Sequence, residues 1–429
     1  MSLIADHPMR YALANELHAR PFPVIQAPAE AIFLAIKQPD LAASRDRAAD
    51  LAHLNALLDR AGAPHPQPGA THYFGSIGRH ELKWESHTEV VTYSAFAPGL
   101  SRRPFDPAAF DVFPADWLAR APGLRLTSAI IRVEFMPEGE GALAERLAEW
   151  FVGESLTSSR VVDGQAVVAT DFRIDPAGHV RFAIFVQPGT GPRRIGRIVQ
   201  RLCEVELYKT LSMLGLARVR SLAAPMAEID TRLSAMVSDL TGGGKAERTL
   251  DDLLSISAEL ETLLVRNSFR FGASGAYEAI VNQRVAAMRE ERVEGYQTFG
   301  EFMMRRYDPA MRTVKSAERR LQALATRAAR AGELLRTRVD VERSAENQAL
   351  LASMDRRADL QLRLQHTVEG LSVVAISYYA VSLATYLLLP MAEAAHWPKS
   401  VLTAVLVPVV AGAVWWMIRR IRRRVGGGH

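Results

Sequence analysis

Few residues of this 429-residue chain have the spacing that a catalytic or metal site requires. His80 and His87 lie near Glu85 and Glu89, but this spacing matches no zinc motif such as a paired-histidine helix. The stretch 242–245 resembles a phosphate-binding loop, but it lacks the leading glycine and a preceding strand, so we interpret it as a joint between helices. No Gly-x-Ser-x-Gly motif and no Cys/His nucleophile pair occurs. The sequence therefore predicts no enzyme, no cofactor and no metal site.

A polar cluster near the amino terminus gathers several ionisable side chains, and its members are Asn15, Glu16, His18 and Arg20. Such a cluster could bind a ligand, but a helix cap combined with a salt bridge explains the same residues, so their role stays open. Cys203 is the sole cysteine of the chain. A disulfide within one chain and a Cys-based zinc or iron–sulfur site are therefore excluded.

The apolar segment 370–390 carries a polar face. Ser372, Tyr379 and Tyr386 recur at seven-residue steps, and Ser382 lies between them on the same side of a helix. In hydrocarbon such a face turns toward other helices or toward water, so it predicts either helix packing or the lining of a pore. Glu393 follows the segment and would be an acidic group at the outer mouth of that pore.

Two uncharged segments near the carboxyl terminus are long enough to cross a bilayer as helices. They are residues 370–390 and 401–418, and the short connection between them allows only a hairpin. The connection carries Lys399 as its one basic residue, whereas five arginines follow the second segment: Arg419, Arg420, Arg422, Arg423 and Arg424. The positive-inside rule therefore predicts that both termini lie in the cytoplasm.

The rest of the chain has the composition of a folded protein, with 48% hydrophobic and 23% charged residues. Charged residues are spread through positions 1–20, so the amino terminus is not a signal peptide. The net charge of +5 comes largely from the carboxyl-terminal arginines, which argues against a nucleic-acid partner. We therefore expect a multi-pass membrane protein with a large cytoplasmic part, which in a bacterial cell would lie in the inner membrane.

Residues 1–190 have the pattern of an α+β domain with a mostly antiparallel sheet. Residues 71–97 contain β-forming residues and turn signals, which predicts two or three antiparallel strands. Residues 124–135 predict one more strand. Two further strands are expected over 160–174 and 179–186, joined by a turn with Asp-Pro-Ala-Gly chemistry. Helices should cover one face of this sheet.

Residues 191–308 predict a helical region that begins at Pro192. We expect breaks at Pro225 and at the glycines of 242–244, and separate helices over 248–265 and 274–304.

Residues 309–366 predict one long stalk helix, which leads into the two-helix transmembrane hairpin of residues 367–424. Small and apolar residues at seven-residue steps form a seam on this helix: Val314, Leu321, Ala328 and Leu335, interleaved with Ala317, Leu324 and Ala331. The seam predicts a coiled coil, either between copies of the chain in a homo-oligomer or within an antiparallel bundle of one chain.

Three motifs of the chain are recognisable: Arg10–Phe22, Gln200–Tyr208 and Gln365–Ser372. They resemble those of a bacterial family known as domain of unknown function 3422, and the resemblance spans nearly the whole chain. It implies an uncharacterised protein anchored in the inner membrane, and it assigns no activity.

The order of parts also resembles that of CorA-type divalent-cation channels, which join an α/β domain, a stalk helix and a short membrane hairpin. This resemblance implies a homo-oligomer that transports cations through a ring of first membrane helices. However, the chain has residues 387–391 (Leu-Leu-Leu-Pro-Met) where that family carries its Gly-Met-Asn filter, so the filter is not carried over. The alternative is a membrane-tethered scaffold or sensor whose sheet domain binds a partner and whose hairpin is only an anchor.

Overall fold

A computed structural model describes most of the chain. The described residues are 4–11, 13–14, 22–39, 44–242, 246–394 and 398–425, without the side chains of 140, 239–242, 246–247, 393–394 and 421–425. The chain forms two compact units. The first comprises Met1–Gly244 and Asp251–Ala331, and the second comprises Lys245–Leu250 and Gly332–His429.

The first unit contains a nine-stranded sheet with the strand order β2-β3-β4-β1-β5-β8-β7-β6-β9. β5 and β8 run parallel, and the other neighbouring strands are antiparallel. The prediction of a mostly antiparallel sheet in an α+β unit is therefore confirmed. The strands are β1 (Ala29–Lys37), β2 (His72–Ile77), β3 (His80–Ser86), β4 (Val91–Pro98), β5 (Leu124–Phe135), β6 (Thr157–Val161), β7 (Ala166–Thr170), β8 (Val180–Val186) and β9 (Glu291–Arg292).

One face of the sheet supports the main apolar core. Three helices and a 3₁₀ turn cover it: α1 (Arg47–Ala61), the turn Pro107–Val112, α2 (Ala115–Leu118) and α3 (Glu140–Trp150). Strand alternation separates the two faces, because Leu82 and Trp84 of β3 point into this core whereas Lys83 and Glu85 point to the opposite side. The second face carries polar side chains on β3, whereas β1, β5 and β8 present buried apolar side chains to it, among them Phe33, Ile131 and Phe182.

Long helices cover the second face of the sheet. They include α4 (Pro192–Gly242) and α5 (Ala246–Ala287), and a short helix α6 (Phe299–Phe302) precedes α7 (Asp308–Ala394). Gln200 of α4 accepts a hydrogen bond from Lys83 Nζ at 3.0 Å. Glu206 accepts one from Thr127 Oγ1 at 2.9 Å. Polar side chains therefore join α4 to the sheet.

Several strands and helices have nearly the ends that the sequence predicts. Residues 71–97 contain the three strands β2 to β4, β5 spans Leu124–Phe135 as expected, and α4 begins at Pro192. The turn before β8 is confirmed, since Gly178 N donates to Asp175 O at 2.9 Å. The single strand expected over 160–174 is wrong, because a turn with positive φ at Val162 and Asp163 divides this stretch between β6 and β7.

One of the two expected breaks in the helical region, the one at Pro225, is wrong. α4 continues through Pro225, and Leu222, Met226 and Ile229 are buried on one side of it, so packing holds the helix where the proline removes a hydrogen bond. The predicted helices 248–265 and 274–304 are joined in one helix, α5, as far as Ala287. The predicted end at Met304 is wrong, because Arg289 at φ 49° and strand β9 interrupt the helix before the next one begins at Phe299. The other expected break, at the glycines of 242–244, falls between the end of α4 at Gly242 and the start of α5 at Ala246, and its last two residues lie outside the described residues.

The predicted coiled-coil seam is buried within a single chain as far as it lies in the first unit. Val314, Leu321, Leu324, Ala328 and Ala331 are each at most 7% exposed. Ion pairs join the same helix to its neighbours: Lys315 to Glu278 of α5, and Arg320 and Arg327 to Asp230 of α4. The structure therefore matches the intramolecular alternative for this part of the seam.

The second unit contains the rest of α7 and α8 (Lys399–Val425). Two helices in the described residues are long and apolar enough to cross a membrane, one ending at Ala392 and one over Lys399–Arg420. Ala392 of the first and Val414 of the second are buried, whereas most other apolar side chains of both helices are exposed. Such exposed apolar surface is what lipid contact requires.

The buried His53 should make the stability of the first unit dependent on pH. Its Nδ1 lies 3.1 Å from Tyr93 Oη and its Nε2 lies 3.1 Å from the Trp117 carbonyl oxygen. The carbonyl can only accept, so Nε2–H donates and Nδ1 accepts from the phenol, as in a neutral ring. Burial lowers the pKa of His53 below its usual 6.5, against smaller opposing effects of the Trp117 hydrogen bond and Asp50.

A lowered folded-state pKa means that the unfolded chain binds the proton first. The contribution of His53 is therefore present above about pH 6.5 and is lost as the pH falls through its folded-state pKa. Denaturant titrations of the protein in mild detergent at pH 7.5 and pH 5 should show this loss. A His53→Gln variant should be less stable but should lose less on acidification, whereas the exposed-site control His65→Gln should keep the wild-type dependence. Equal acid losses in wild type and His53→Gln would contradict the assignment.

Candidate functional site

A buried carboxylate, Glu89, lies in the turn between β3 and β4. Its side chain is 0% exposed. Arg270 of α5 binds both carboxylate oxygens, and Tyr277 Oη of the same helix donates to Oε1 at 2.9 Å. Lys37 Nζ at the end of β1 lies 3.8 Å from Oε2. Glu89 thus joins the sheet to α5 through two partners on that helix, and Lys37 is a third partner within the sheet.

The environment of Glu89 also affects the pKa of its tyrosine partner. Burial raises the pKa of Tyr277, and the charge of Glu89 raises it further, so the phenol remains a donor at neutral pH. Tyr277 stacks on Tyr208 of α4 at 5.4 Å, and Tyr208 meets His87 edge to face at 6.4 Å. Aromatic contacts therefore continue from Glu89 toward a cavity between the sheet and α4.

This cavity has a volume of about 280 Å³ and a mixed polar and apolar lining. A chain of hydrogen bonds follows one wall: Lys83 to Gln200 at 3.0 Å, Gln200 to Glu204 at 2.9 Å, and Arg284 of α5 to Glu204. Lys83 also pairs with Glu85 at 3.3 Å. The charges of the wall are therefore neutralised locally, and the cavity offers hydrogen bonds without a large net charge.

Cys203 lines the same cavity but lacks the chemistry of a nucleophile. Burial raises the pKa of its thiol, and the charge of Glu204 adds to that effect, so the thiol stays protonated. His87, another lining residue, lies 3.3 Å from Thr92 Oγ1 through its Nε2. Among the described residues, no three His, Cys, Asp or Glu side chains converge as a metal site requires.

The predicted polar face of the first apolar segment is present on α7. Ser372 Oγ donates to the Val368 carbonyl at 2.8 Å, and Ser382 Oγ donates to the Tyr378 carbonyl at 2.9 Å. Both hydroxyls are thus used within the helix itself. Tyr379 and Tyr386 are 67% and 75% exposed in the single chain. Whether these four residues line a pore stays a prediction.

The remaining predicted residues are only partly described. Arg419 and Arg420 lie over the rings of Trp415 and Trp416, at 5.0 and 5.1 Å from the ring centroids. The cluster of Asn15, Glu16, His18 and Arg20 lies outside the described residues, as do the side chains of Glu393, Arg422, Arg423 and Arg424.

Sequence analysis missed the role of Glu89, which it noted only as a neighbour of two histidines. The partners of Glu89 come from β1 and from α5, up to 188 positions away along the chain. No local motif marks such a set. The one available signal is that an acidic residue stands directly before Val90 and Val91, where the strand of buried residues begins.

Among known proteins, the chain matches the model of one family. The family model described as "Protein of unknown function (DUF3422)" matches residues 5–425. No curated protein and no solved structure matches the chain. Because the family model covers nearly the whole chain, the protein belongs to the DUF3422 family.

Proposed function

We propose that this protein is a membrane-tethered sensor or scaffold. In this proposal, the two apolar helices of the second unit anchor the chain in the bacterial inner membrane, with both termini in the cytoplasm. The first unit then binds a cytoplasmic ligand or partner. The length of the two helices and the arginines after the second helix support the membrane position.

The observation that carries the proposal is the bonding of the hydroxyls on the first apolar helix. Ser372, Ser382 and Thr385 each donate to the carbonyl oxygen four residues earlier, at 2.7–2.9 Å. A hydroxyl satisfied in this way can face lipid or another helix without contact to water. The polar face therefore does not require a pore, and an anchor explains it equally well. By contrast, the first unit contains cavities and charged networks suited to binding.

CorA-like cation transport by a homo-oligomer is the second candidate. The exposure of Tyr379 and Tyr386 favours it, because their hydroxyls have no partner within the described part of one chain. Copies of the chain arranged in a ring could cover this face, with divalent cations passing along it. The exposed stretch 341–368 of α7 supports the same assembly, since a further copy could cover it.

Labelling of single cysteines separates the two candidates. In a Cys203→Ser background, cysteines replace Ala394, Gly428, and the four face residues Ser372, Tyr379, Ser382 and Tyr386. A membrane-impermeant thiol reagent added to spheroplasts should label position 394 directly and position 428 only after permeabilisation, since the loop is outside and the tail inside. The anchor predicts that the four face positions remain protected.

Reference cysteines at Val374, Val381 and Leu388 provide the matched control on the opposite side of the helix. A pore would give labelling at 372, 379, 382 and 386 but not at the reference positions, together with cation flux in proteoliposomes. That pattern would favour the transport candidate over the anchor. Labelling of position 428 without permeabilisation would overturn the proposed topology.

A further inference from the structure

A second, larger concave surface lies in the first unit, bordered by the ends of β1 and β5 and by α4 and α5. We call it the basic groove, and its volume is about 1000 Å³. Five cationic side chains line it: Lys37, Arg125, Arg218, Arg266 and Arg270. No Asp or Glu is among the described residues of its lining. The basic groove therefore concentrates positive charge, and this charge attracts anions.

Three of these cations are available to a ligand. Lys37 and Arg270 share the buried carboxylate of Glu89. Arg125, Arg218 and Arg266 are exposed, and none of them pairs with an acid in the part of the chain that the structure describes. A guanidinium group presents parallel N–H donors that match two oxygens of a phosphate group. Uncompensated arginines in one groove therefore suit a ligand with phosphate charges.

The two helices place their groove residues on matching faces. Arg266, Phe269 and Arg270 follow one another at helical spacings of three and four residues on α5. Arg218 and Ser221 have the same relation on α4. The side chains therefore converge from the two helices α4 and α5. Glu89 holds the guanidinium of Arg270 in place by accepting two hydrogen bonds from it.

An apolar floor accompanies the charges. The Phe269 ring is 46% exposed, and the Arg270 guanidinium carbon lies 5.6 Å from its centroid. Leu126 and Leu214 line the same groove. A large aromatic surface that remains exposed beside cations is suited to stacking on a planar or apolar group. Phosphate alone would leave this floor uncovered.

We propose that the basic groove binds a phosphate-bearing small molecule, with its phosphates on Arg125, Arg218 and Arg266 and its apolar or ring portion on Phe269. The proposal rests on the proposed function, because the groove is then where the tethered unit takes its ligand. A nucleotide and a lipid headgroup share this chemistry, so the experiment uses one probe for each.

The test measures binding by calorimetry to the full chain in nanodiscs of neutral lipid. The probes are inorganic pyrophosphate, adenosine diphosphate and dihexanoyl phosphatidic acid. We expect saturable binding that weakens as salt is added. Loss of one charge-assisted contact weakens binding at least about tenfold, so Arg218→Gln with Arg266→Gln should weaken binding by about 100-fold. If one of the nucleotide and the lipid binds more tightly, that probe identifies which kind of ligand the groove prefers. Either result supports the proposal that the groove binds a phosphate-bearing molecule.

The control removes the same two charges elsewhere. Arg220 on α4 and Arg312 on α7 are exposed and do not line the groove. Arg220→Gln with Arg312→Gln should bind every probe within about twofold of wild type, because only long-range charge is lost. Phe269→Ala should weaken binding of adenosine diphosphate about fivefold or more and leave pyrophosphate unchanged, since pyrophosphate has no ring to stack.

Two results would overturn the proposal. One is the absence of saturable binding of all three probes at about millimolar concentration. The other is an equal loss of affinity in the groove variant and in the control variant, which would show only general attraction to a basic protein. The cysteine-labelling experiment leaves the groove residues unchanged and uses none of the three probes. Failure of binding therefore leaves the membrane anchor standing, and failure of the anchor leaves the groove standing.

Discussion

The Glu89→Gln variant should lose about 3–5 kcal/mol of the free energy of unfolding of the first unit. Glutamine keeps the size of the side chain and one acceptor oxygen, but it removes the negative charge. Arg270, whose side chain is 15% exposed, would then be a largely buried cation that has lost its counter-charge. The cost comes from that uncompensated charge more than from the lost hydrogen bonds.

Denaturant titration monitored by tryptophan fluorescence measures this loss, because Trp84 and Trp117 are buried in the first unit. Glu81→Gln is the matched control, since Glu81 lies on the same hairpin and is exposed. It should change the stability by less than about 0.5 kcal/mol. A loss of similar size in the two variants would mean that Glu89 does not hold α5 to the sheet.

A double-mutant cycle separates the pair from its surroundings. Once Glu89→Gln has removed the charge, Arg270→Met should cost much less than it costs in the wild-type protein, because the unpaired cation is then gone. Residues in one ion-pair network couple in this way, whereas independent residues add. Additive effects of the two substitutions would contradict the proposed contact between Glu89 and Arg270.

The strands were more predictable than the helices because strand signals are local. β5 is rich in strand-forming apolar residues over Leu124–Phe135 and ends where Met136 and Pro137 follow, so its bounds could be derived from the sequence. Proline at position 225 predicted a break by the same local logic, yet the buried Leu222 and Met226 keep α4 continuous. Tertiary packing decides such cases, and it is invisible to a local pattern.

Local sequence patterns predict the binding surfaces even less well than they predict the helices. The membrane segments could be predicted because hydrophobic length is a property of one continuous stretch. The basic groove could not, because Lys37, Arg125, Arg218 and Arg266 come from four separate elements. Each of these residues alone has the appearance of an ordinary surface cation. Only the order of strands, which sets β1 beside β5, and the position of α4 and α5 bring them into one groove.

The Leu321→Asp variant should lose more than about 4 kcal/mol of unfolding free energy. We expect this loss because Leu321 is buried in a helix bundle formed within one chain. Leu321 is 0% exposed, and its neighbours on the same face of α7, Leu324 and Ala328, are buried with it. Removal of the leucine leaves a cavity, and the aspartate adds a carboxylate without partners in an apolar site. We therefore expect the helices α4, α5 and α7 to loosen together.

The dependence on protein concentration decides whether this seam lies within one chain or between copies. An intramolecular bundle gives an unfolding midpoint that stays constant over about a tenfold range of concentration, whereas an oligomer seam gives a midpoint that rises with concentration. Leu334→Asp is the control, because Leu334 lies on the same helix and is 71% exposed. A concentration-dependent wild-type midpoint that Leu321→Asp abolishes would contradict the intramolecular bundle and restore the stalk between copies. A constant midpoint would confine any contact between copies to other surfaces, such as the exposed stretch 341–368 of α7.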